Sequence, residues 1–466
     1  MAGSVDENEL GTRTGPPTGP GWGAVAVISS WPQSAVAWER AKRSLGAGVS
    51  TGLRASMKPH PLFFASGSGP RITDLDGNTY LDHVLGWGPV ILGHAHPVLD
   101  DAVIARVPLG ATFGAGHRLE YLAAESVLAA IPGTERVLWS NTGSEATQVA
   151  LRLARAVTGR DRYVKMVGHY HGWSDSFLLG YRPDASGSMT GAGSLGQRRG
   201  ARDEVSLVPF GDLDAAIQAA TAPGADIAAV FVEPVLCNSG VLAPPSGYLE
   251  GLRRLCDEQG IVLVFDEVIT GFRVAHGGAV ERYGVQPDLI VLAKALAGGY
   301  PLSAIVGRGS IIDRVASGVV HAGTYNGNPI VLAAAMATMS VLAEDGIYQA
   351  FEERGSELAD GFRAAITAQG VQGWVNHVGP VVQCSFGSRR GDSFEGFLAA
   401  DQEFYDRVTV NLLRRGVFAL PGGRWYLSTA HTAADVAETV AVFADSLSAT
   451  LAEGPGPREL EVVASG

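Results

Sequence analysis

The stretch 261-IVLVFDEVITGFRVAHGGAVERYGVQPDLIVLAK-294 decides the fold. Two apolar, β-branched runs sit inside it, IVLVF ahead of Asp266 and LIVLA ahead of Lys294. Each is short, continuous and bounded by polar or Gly/Pro-containing sequence, the pattern of a strand buried on both faces. Each stops on a residue with a charge to place. In open α/β sheets, ligands sit beyond the carboxyl ends of the strands. A carboxylate and an amine delivered to neighbouring strand ends therefore mark a candidate site. The plain alternative is a structural Asp–Lys pair at the sheet end.

The pairing has a specific chemical reading. A lysine whose pKa is lowered by burial and neighbours can form a Schiff base with an aldehyde. An aspartate beneath a pyridine nitrogen keeps that nitrogen protonated, and the ring then accepts electrons. Lys294 and Asp266 together are the minimum equipment for pyridoxal 5'-phosphate (PLP). The remaining sequence has to choose between this cofactor and the bland ion pair.

At 466 residues the chain exceeds one typical core, so two or three sub-domains are expected. The net charge of −12 argues against nucleic acid or an anionic membrane as partner, without excluding a local basic pocket for a phosphate. Cys237, Cys256 and Cys384 make no CxxC pair and no disulfide framework, which points to a reducing, cytoplasmic compartment. No apolar run reaches the length of about 18 residues needed to span a bilayer. Residues 1–30 carry acidic groups ahead of a Gly/Pro/Thr stretch, the wrong charge for a signal peptide, and read as a disordered tail.

Outward from the central stretch, Val137–Trp139 read as a strand and Asn141–Ser144 as a small polar turn. A helix follows, with Ala146, Val149, Ala150, Leu153, Ala154 and Val157 at 3.6-residue spacing. Its first turn, with small side chains and free N–H groups, suits a phosphate; an ordinary Ser/Thr N-cap is the commoner meaning. Another strand, YVKMV, leads to Tyr170 and His171, where a ring could stack on a flat cofactor. IAAVFV is a further buried strand that ends near Glu233 and Asn238, and residues 185–204 form a polar, low-complexity loop or lid. Thr324 lies in a loop ahead of a long apolar helix. Alternation of strands and helices through this region indicates an α/β domain with a mostly parallel sheet.

The flanks differ in character. A helix is expected over 32–47, then a loop with Arg54, then a hairpin in SGPRITDLDGNTYLD. The Gly-rich VLGWGPVILGHAHP contains Trp87, His94 and His96; two histidines with no third ligand nearby do not make a zinc site, and no metal is expected. From about Tyr348, charged helices and the strands VVQCSF and WYLSTAHT describe a smaller α+β domain. The expected divisions are a tail at 1–30, small-domain residues 31–100, a large domain at 101–345, small-domain residues 346–452, and a second tail at 453–466.

Taken in order, the strings GVSTGLRA, WGPVILGHAHP, TGSEATQVALRLARAVTGRD, GHYHGWSD, FDEVITGFR, PDLIVLAKALAGGYP and GTYNGNP resemble the class III (fold type I) PLP-dependent aminotransferases. Glutamate-1-semialdehyde aminomutase and its transaminase relatives are the members that look most alike. The resemblance implies a large PLP domain with a mostly parallel seven-stranded sheet, and a small domain made from both chain ends. It implies Lys294 as the Schiff-base lysine and proton shuttle, and Asp266 as the pyridinium partner. Gly143 and Ser144 match the phosphate-binding turn, Tyr170 the residue stacked on the ring, with His171 beside it, and Asn238 a position near the ring hydroxyl. Thr324 matches a phosphate ligand donated across a homodimer interface, giving two shared sites.

The same resemblance puts Arg54 on the substrate carboxylate, for which a guanidinium fork is suited, and Trp87 in the same pocket. It breaks near the C-terminus. Where the aminomutases carry an acid before the last strand, this chain reads ALPGGRWYLSTAHT, and Arg424 reverses the local charge. An arginine there suits a second carboxylate, or swings aside for an apolar group. The expectation is ping-pong transamination between an amino donor and a carbonyl acceptor. The alternatives are an aminomutase or racemase working on one substrate, and a scaffold protein on the same fold; a scaffold needs neither Lys294 nor Asp266.

Overall fold

A computed structural model describes residues 27–184, 187–387 and 391–458. Most of the tail expected at 1–30, the end of the chain past residue 458, and residues 185–186 of the expected lid lie outside the described residues.

Residues near the N-terminus form β1 (Phe64–Ser68), β2 (Arg71–Asp74) and β3 (Thr79–Asp82), joined antiparallel. The hairpin turn between β2 and β3 closes because Asp74 Oδ1 accepts the N–H groups of Asp76 and Asn78 at 2.9 and 2.8 Å. Gly77 supplies the positive φ of 84° that this turn demands. The helix expected over 32–47 spans only Pro32–Ala41; a turn and a short 3-10 segment, Gly46–Gly48, follow, with Ala47 and Gly48 both at positive φ.

The middle of the chain supplies β4 (Arg136–Ser140), β5 (Arg162–Met166), β6 (Val205–Val208), β7 (Ile227–Val232), β8 (Val262–Asp266), β9 (Leu289–Leu292) and β10 (Ser303–Gly307). They make one seven-stranded sheet in the order β4-β10-β9-β8-β7-β5-β6. Neighbours are parallel except β10, which runs antiparallel to both β4 and β9. Every residue of β7, β8 and β9 is buried, as continuous apolar runs between two helical layers require. The helix Gly143–Thr158 covers one face, with Ala146, Ala150 and Leu153 against Val264 and Val291. The helix Tyr248–Gln259 covers the other, with Leu252 and Leu255 against Val230 and Leu263.

After the long helices Pro329–Leu342 and Ile347–Ala368, the strands β11 (Gly373–Val378), β12 (Val381–Phe386), β13 (Val417–Phe418) and β14 (Arg424–Tyr426) complete the smaller α+β part. β13 pairs parallel with β3, Val417 opposite Leu81, so both ends of the chain share one sheet. Phe362, Phe386, Trp425 and Phe443 form its aromatic core, with the Phe362 and Phe443 rings stacked at 4.0 Å. No single helix among the described residues is long and apolar enough to cross a membrane.

Candidate active site

Parallel strands place their carboxyl ends on one edge of the sheet, and six of the seven strands, all but β10, end there. β8 ends on Asp266, opposite Val291 of β9. β9 itself stops at Leu292, two residues before Lys294. This corrects the expectation of a strand running to the lysine. Lys294 instead opens a short 3-10 turn, Lys294–Ala297, with φ of 45°. A non-glycine residue held left-handed is strained, by an amount of order 1–3 kcal/mol, and such strain collects at functional positions.

A cavity of about 330 Å³ lies at this edge, and Asn141, Gly143, Ser144, Tyr170, His171, Glu233, Asn238, Asp266 and Lys294 are in its wall. The strand-end logic of the sequence is thereby met in space. Asp266 is buried, its Oδ1 accepting the Val268 N–H at 3.0 Å and its Oδ2 lying 2.7 Å from His171 Nδ1. Burial pushes its carboxyl up to about 7, and the Val268 N–H, Lys294 and Lys165 pull against that rise. The His171 imidazole is held well below its usual value by burial and then by Lys165, so it is the neutral partner of the pair. Lys165 is itself a fully buried lysine, donating to the carbonyls of Phe177 and Leu179 at 2.5 and 2.6 Å.

Lys294 is lowered to about 7 by burial first, then by the charges of Arg424 and Arg273, against the opposing pull of Glu233 and Asp266. An amine in that range is available as a free base near neutral pH.

The helix Gly143–Thr158 points its N-terminus at the same cavity. Thr142 caps it by accepting the Glu145 N–H at 3.2 Å, while Glu145 Oε2 takes the N–H groups of Asn141 and Thr142 at 2.9 and 3.0 Å. This reciprocal box leaves the N–H groups of Gly143 and Ser144 in the cavity wall with no helical carbonyl within reach. The loop from β5 is stitched onto this turn. Thr147 Oγ1 donates to the His171 carbonyl at 2.7 Å, and the Trp173 N–H donates to Ser144 Oγ at 3.2 Å. Gly172 passes between them with φ of 94°, and a Cβ there would lie 2.4 Å from Ser144 Oγ. An amine, a buried acid and an open helix N-terminus around one cavity match the aldehyde, ring nitrogen and phosphate of PLP, so these residues fit that cofactor.

Glu233 was legible by the same logic as Asp266, an acid directly after a buried apolar strand, but its role shows only in the fold. It accepts the Tyr170 N–H at 2.7 Å and the Asn238 Nδ2 at 3.0 Å, fixing two walls of the cavity. Burial, then the charge of Asp266, raises its carboxyl to about 7. Arg273 is a second residue that sequence alone did not single out. Wholly buried, it donates to the Ile269 carbonyl at 2.9 Å and to the Gly88 carbonyl, and lies over the Tyr426 ring. Nothing in its apolar surroundings in the sequence signals this role.

Four expected site residues, Arg54, Trp87, Thr324 and Arg424, are not in the wall of this cavity. Arg54 is exposed and, with Trp87, lines a separate cavity of about 400 Å³ that also contains Asp82, His94, Phe64 and Phe418. The segment 86–89 contributes to both walls, Gly86 and Trp87 to this cavity and Pro89 to the one that holds Lys294. His94 bonds Asp82 Oδ2 at 2.7 Å and His96 directly precedes the helix Pro97–Arg106. Thr324 lines a third cavity with Phe113, His117 and Tyr325, not the one that holds Lys294 of the same chain. Arg424, on β14, donates to the Cys237 carbonyl and Asn238 Oδ1 at 2.9 and 3.0 Å, which puts it against the cavity wall through Asn238.

Comparison with known proteins returned a family model described as aminotransferase class-III, matching residues 53–447. A glutamate-1-semialdehyde 2,1-aminomutase from Desulfitobacterium hafniense is 40% identical over 416 residues, covering 88% of this chain and 96% of that protein. Among solved structures, an omega-transaminase from Sphaerobacter thermophilus is similar with a TM-score of 0.85 and 30% identity, over 90% of this chain and 98% of the other. A glutamate-1-semialdehyde aminomutase from Pseudomonas aeruginosa PAO1, in complex with PMP, has a TM-score of 0.81 and 26% identity, over 90% and 94% of the respective chains.

Proposed function

Because the chain belongs to the class-III aminotransferases, a PLP-dependent family, we propose that it moves an amino group between two substrates, an amino acid donor and a carbonyl acceptor. When bound, the cofactor supplies an electron sink beside the carbon that loses its proton. The chain's own residues do the rest. Lys294 holds the cofactor and then carries the proton on Nζ, a role that its lowered pKa supports. Asp266, backed by His171, would hold the ring nitrogen, Gly143 and Ser144 the phosphate, Tyr170 the ring face, and Asn238 the side of the ring hydroxyl.

The observation that carries the two-substrate reading is Arg424. The Arg424 guanidinium bonds Asn238 at the cavity wall, beside the Glu233 carboxylate that holds the same side chain. It favours an acidic group on the substrate and disfavours an intermediate with two amines. Arg54 is assigned to a substrate carboxylate as well, reached across residues 86–89, with Trp87 beside it. The curated relatives favour the other reading, an aminomutase that exchanges the amine within one substrate.

An amino donor supplied alone and then with 2-oxo acids or aldehydes, followed by chromatography of products, separates the two. Net product only when an acceptor is present supports transamination. Full conversion of a single amino aldehyde with no acceptor would sink it.

A homodimer with shared sites belongs to this proposal. Phe113, Val320 and Tyr325 are exposed around the loop that carries Thr324. Thr324 then completes the phosphate end of a second copy's cavity. No nucleic acid or membrane enters the reaction, and the compartment proposed is the cytoplasm.

A further inference from the structure

Asn238, in the turn after β7, is held from three sides. Its Nδ2 donates to Glu233 Oε2, its Oδ1 accepts from Arg424 Nη1, and its backbone carbonyl accepts from Arg182 Nη2, each at 3.0 Å. Arg182 Nη1 also donates to Ser239 Oγ at 2.7 Å, and the Ser239 hydroxyl donates to the Gly168 carbonyl at 2.8 Å. The Arg182 guanidinium lies 4.1 Å from the centre of the Tyr181 ring, and Tyr181 packs on Tyr170 at 4.8 Å. Arg182 therefore ties the turn that carries Asn238 to the loop that carries Tyr170.

Neither Arg182 nor Arg424 has a hydrogen-bonded carboxylate among the described residues. Both oxygens of Glu233 are already used, one by the Tyr170 N–H and one by the Asn238 amide. Nη1 of Arg424 is tied to Cys237 and Asn238, while its Nε is buried with no partner. Glu233 is the acid whose charge acts on both guanidiniums, so two buried cations share one carboxylate and a second anion would offset the excess. The unbonded Nε side of Arg424 is the edge that receives a carboxylate bidentately.

We infer that Arg182 is a specificity-determining positioning residue, which pins the Cys237–Ser239 turn so that Asn238 holds Arg424 with its free edge available to a substrate carboxylate. The inference rests on the assignment of Arg424 to substrate, and it adds a residue that acts through Asn238 without touching substrate. The substrate class it selects is an amino or oxo acid with a carboxylate reaching this side of the lysine.

Glutarate, which has two carboxylates and neither amine nor carbonyl, is the probe, titrated calorimetrically into the holoenzyme, with 1,5-pentanediol as the uncharged control. Wild type binds glutarate and not the diol. Arg182→Ala weakens glutarate about tenfold, equivalent to about 1.4 kcal/mol, and Arg182→Lys restores part of that loss. In Arg182→Ala, KM for an oxo dicarboxylate rises by a larger factor than KM for an acceptor aldehyde that lacks a carboxylate. Arg182→Gln, which retains one amide donor, replaces the alanine variant if the latter melts early. Unchanged glutarate affinity in a folded Arg182 variant overturns the inference, as does a wild-type protein that does not bind glutarate. A wild type that binds glutarate yet transaminates no pair leaves the subsite standing and removes the proposed reaction.

Discussion

At Asp266 the fold accepts an unfavourable burial. Its carboxyl is raised to about 7, mainly by loss of water, against about 3.9 for an exposed aspartate. Between those two values folding takes up a proton, so stability contributed by this group falls as pH rises through that window. Asn keeps the shape and does not titrate. Asp266→Asn is therefore expected to raise the melting temperature of the cofactor-free protein at about pH 8, with the gain shrinking toward about pH 4. Differential scanning fluorimetry at both pH values checks this, and an equal shift at both would remove the burial argument. Cofactor binding should weaken in the same variant, because the acid proposed for the ring nitrogen is gone. Asp266 and Lys294 stood out in the sequence as candidates, since each ends an apolar run, and the structure brings both to one cavity wall. Arg182 was not, because it stands at the edge of a polar loop with no periodicity, and its importance lies in contacts 56 and 57 residues away.

Among elements, the N-terminus of the helix Gly143–Thr158 depends on the neighbouring loop as much as on its own cap. Gly172 adopts a φ that side chains avoid, and its missing Cβ is what lets the loop pass Ser144. Gly172→Ala should push Ser144 out of the cavity wall and weaken cofactor affinity by about tenfold or more, a change of about 1.4 kcal/mol at the lower bound. Far-UV circular dichroism should stay unchanged while absorbance titration of the cofactor shifts. Loss of helix content together with affinity would instead mark a folding defect. The helix itself, its period and its cap were readable from TGSEATQVALRLARAV, because amphipathic spacing is a local property. Helix and strand ends were less so. β9 stops before Lys294 because that residue is left-handed, and the first helix ends at Ala41 in an ordinary turn, neither of which composition announces.

For the whole molecule, the location of Thr324 has the widest consequence. Within one chain it lines a cavity with His117 and Tyr325, apart from Lys294. If two copies share their sites, Lys294→Ala and Thr324→Asp damage opposite halves of each site. Mixing the two inactive variants under conditions that exchange subunits should restore activity. Random pairing predicts roughly a quarter of the wild-type rate, since half of the dimers are mixed and each has one intact site. No recovery after exchange verified by native mass spectrometry would rule out a shared site. The opposite result would also explain why apolar side chains such as Phe113, Val320 and Tyr325 stand exposed beside this loop.

The family resemblance implied the count of seven strands; the sequence patterns themselves determined an α/β sheet, an acid and an amine near its carboxyl edge, and the helix that opens on the cavity. These follow from runs of apolar residues and from what directly terminates them, which are short-range properties. Only the tertiary structure decided that Arg54 and Trp87 open on a second cavity, that Glu233 links Tyr170 to Asn238, and that Arg424 rests on Asn238 with one edge free. Each of those depends on loops from strands far apart in sequence meeting at one edge, and no local pattern specifies such a meeting.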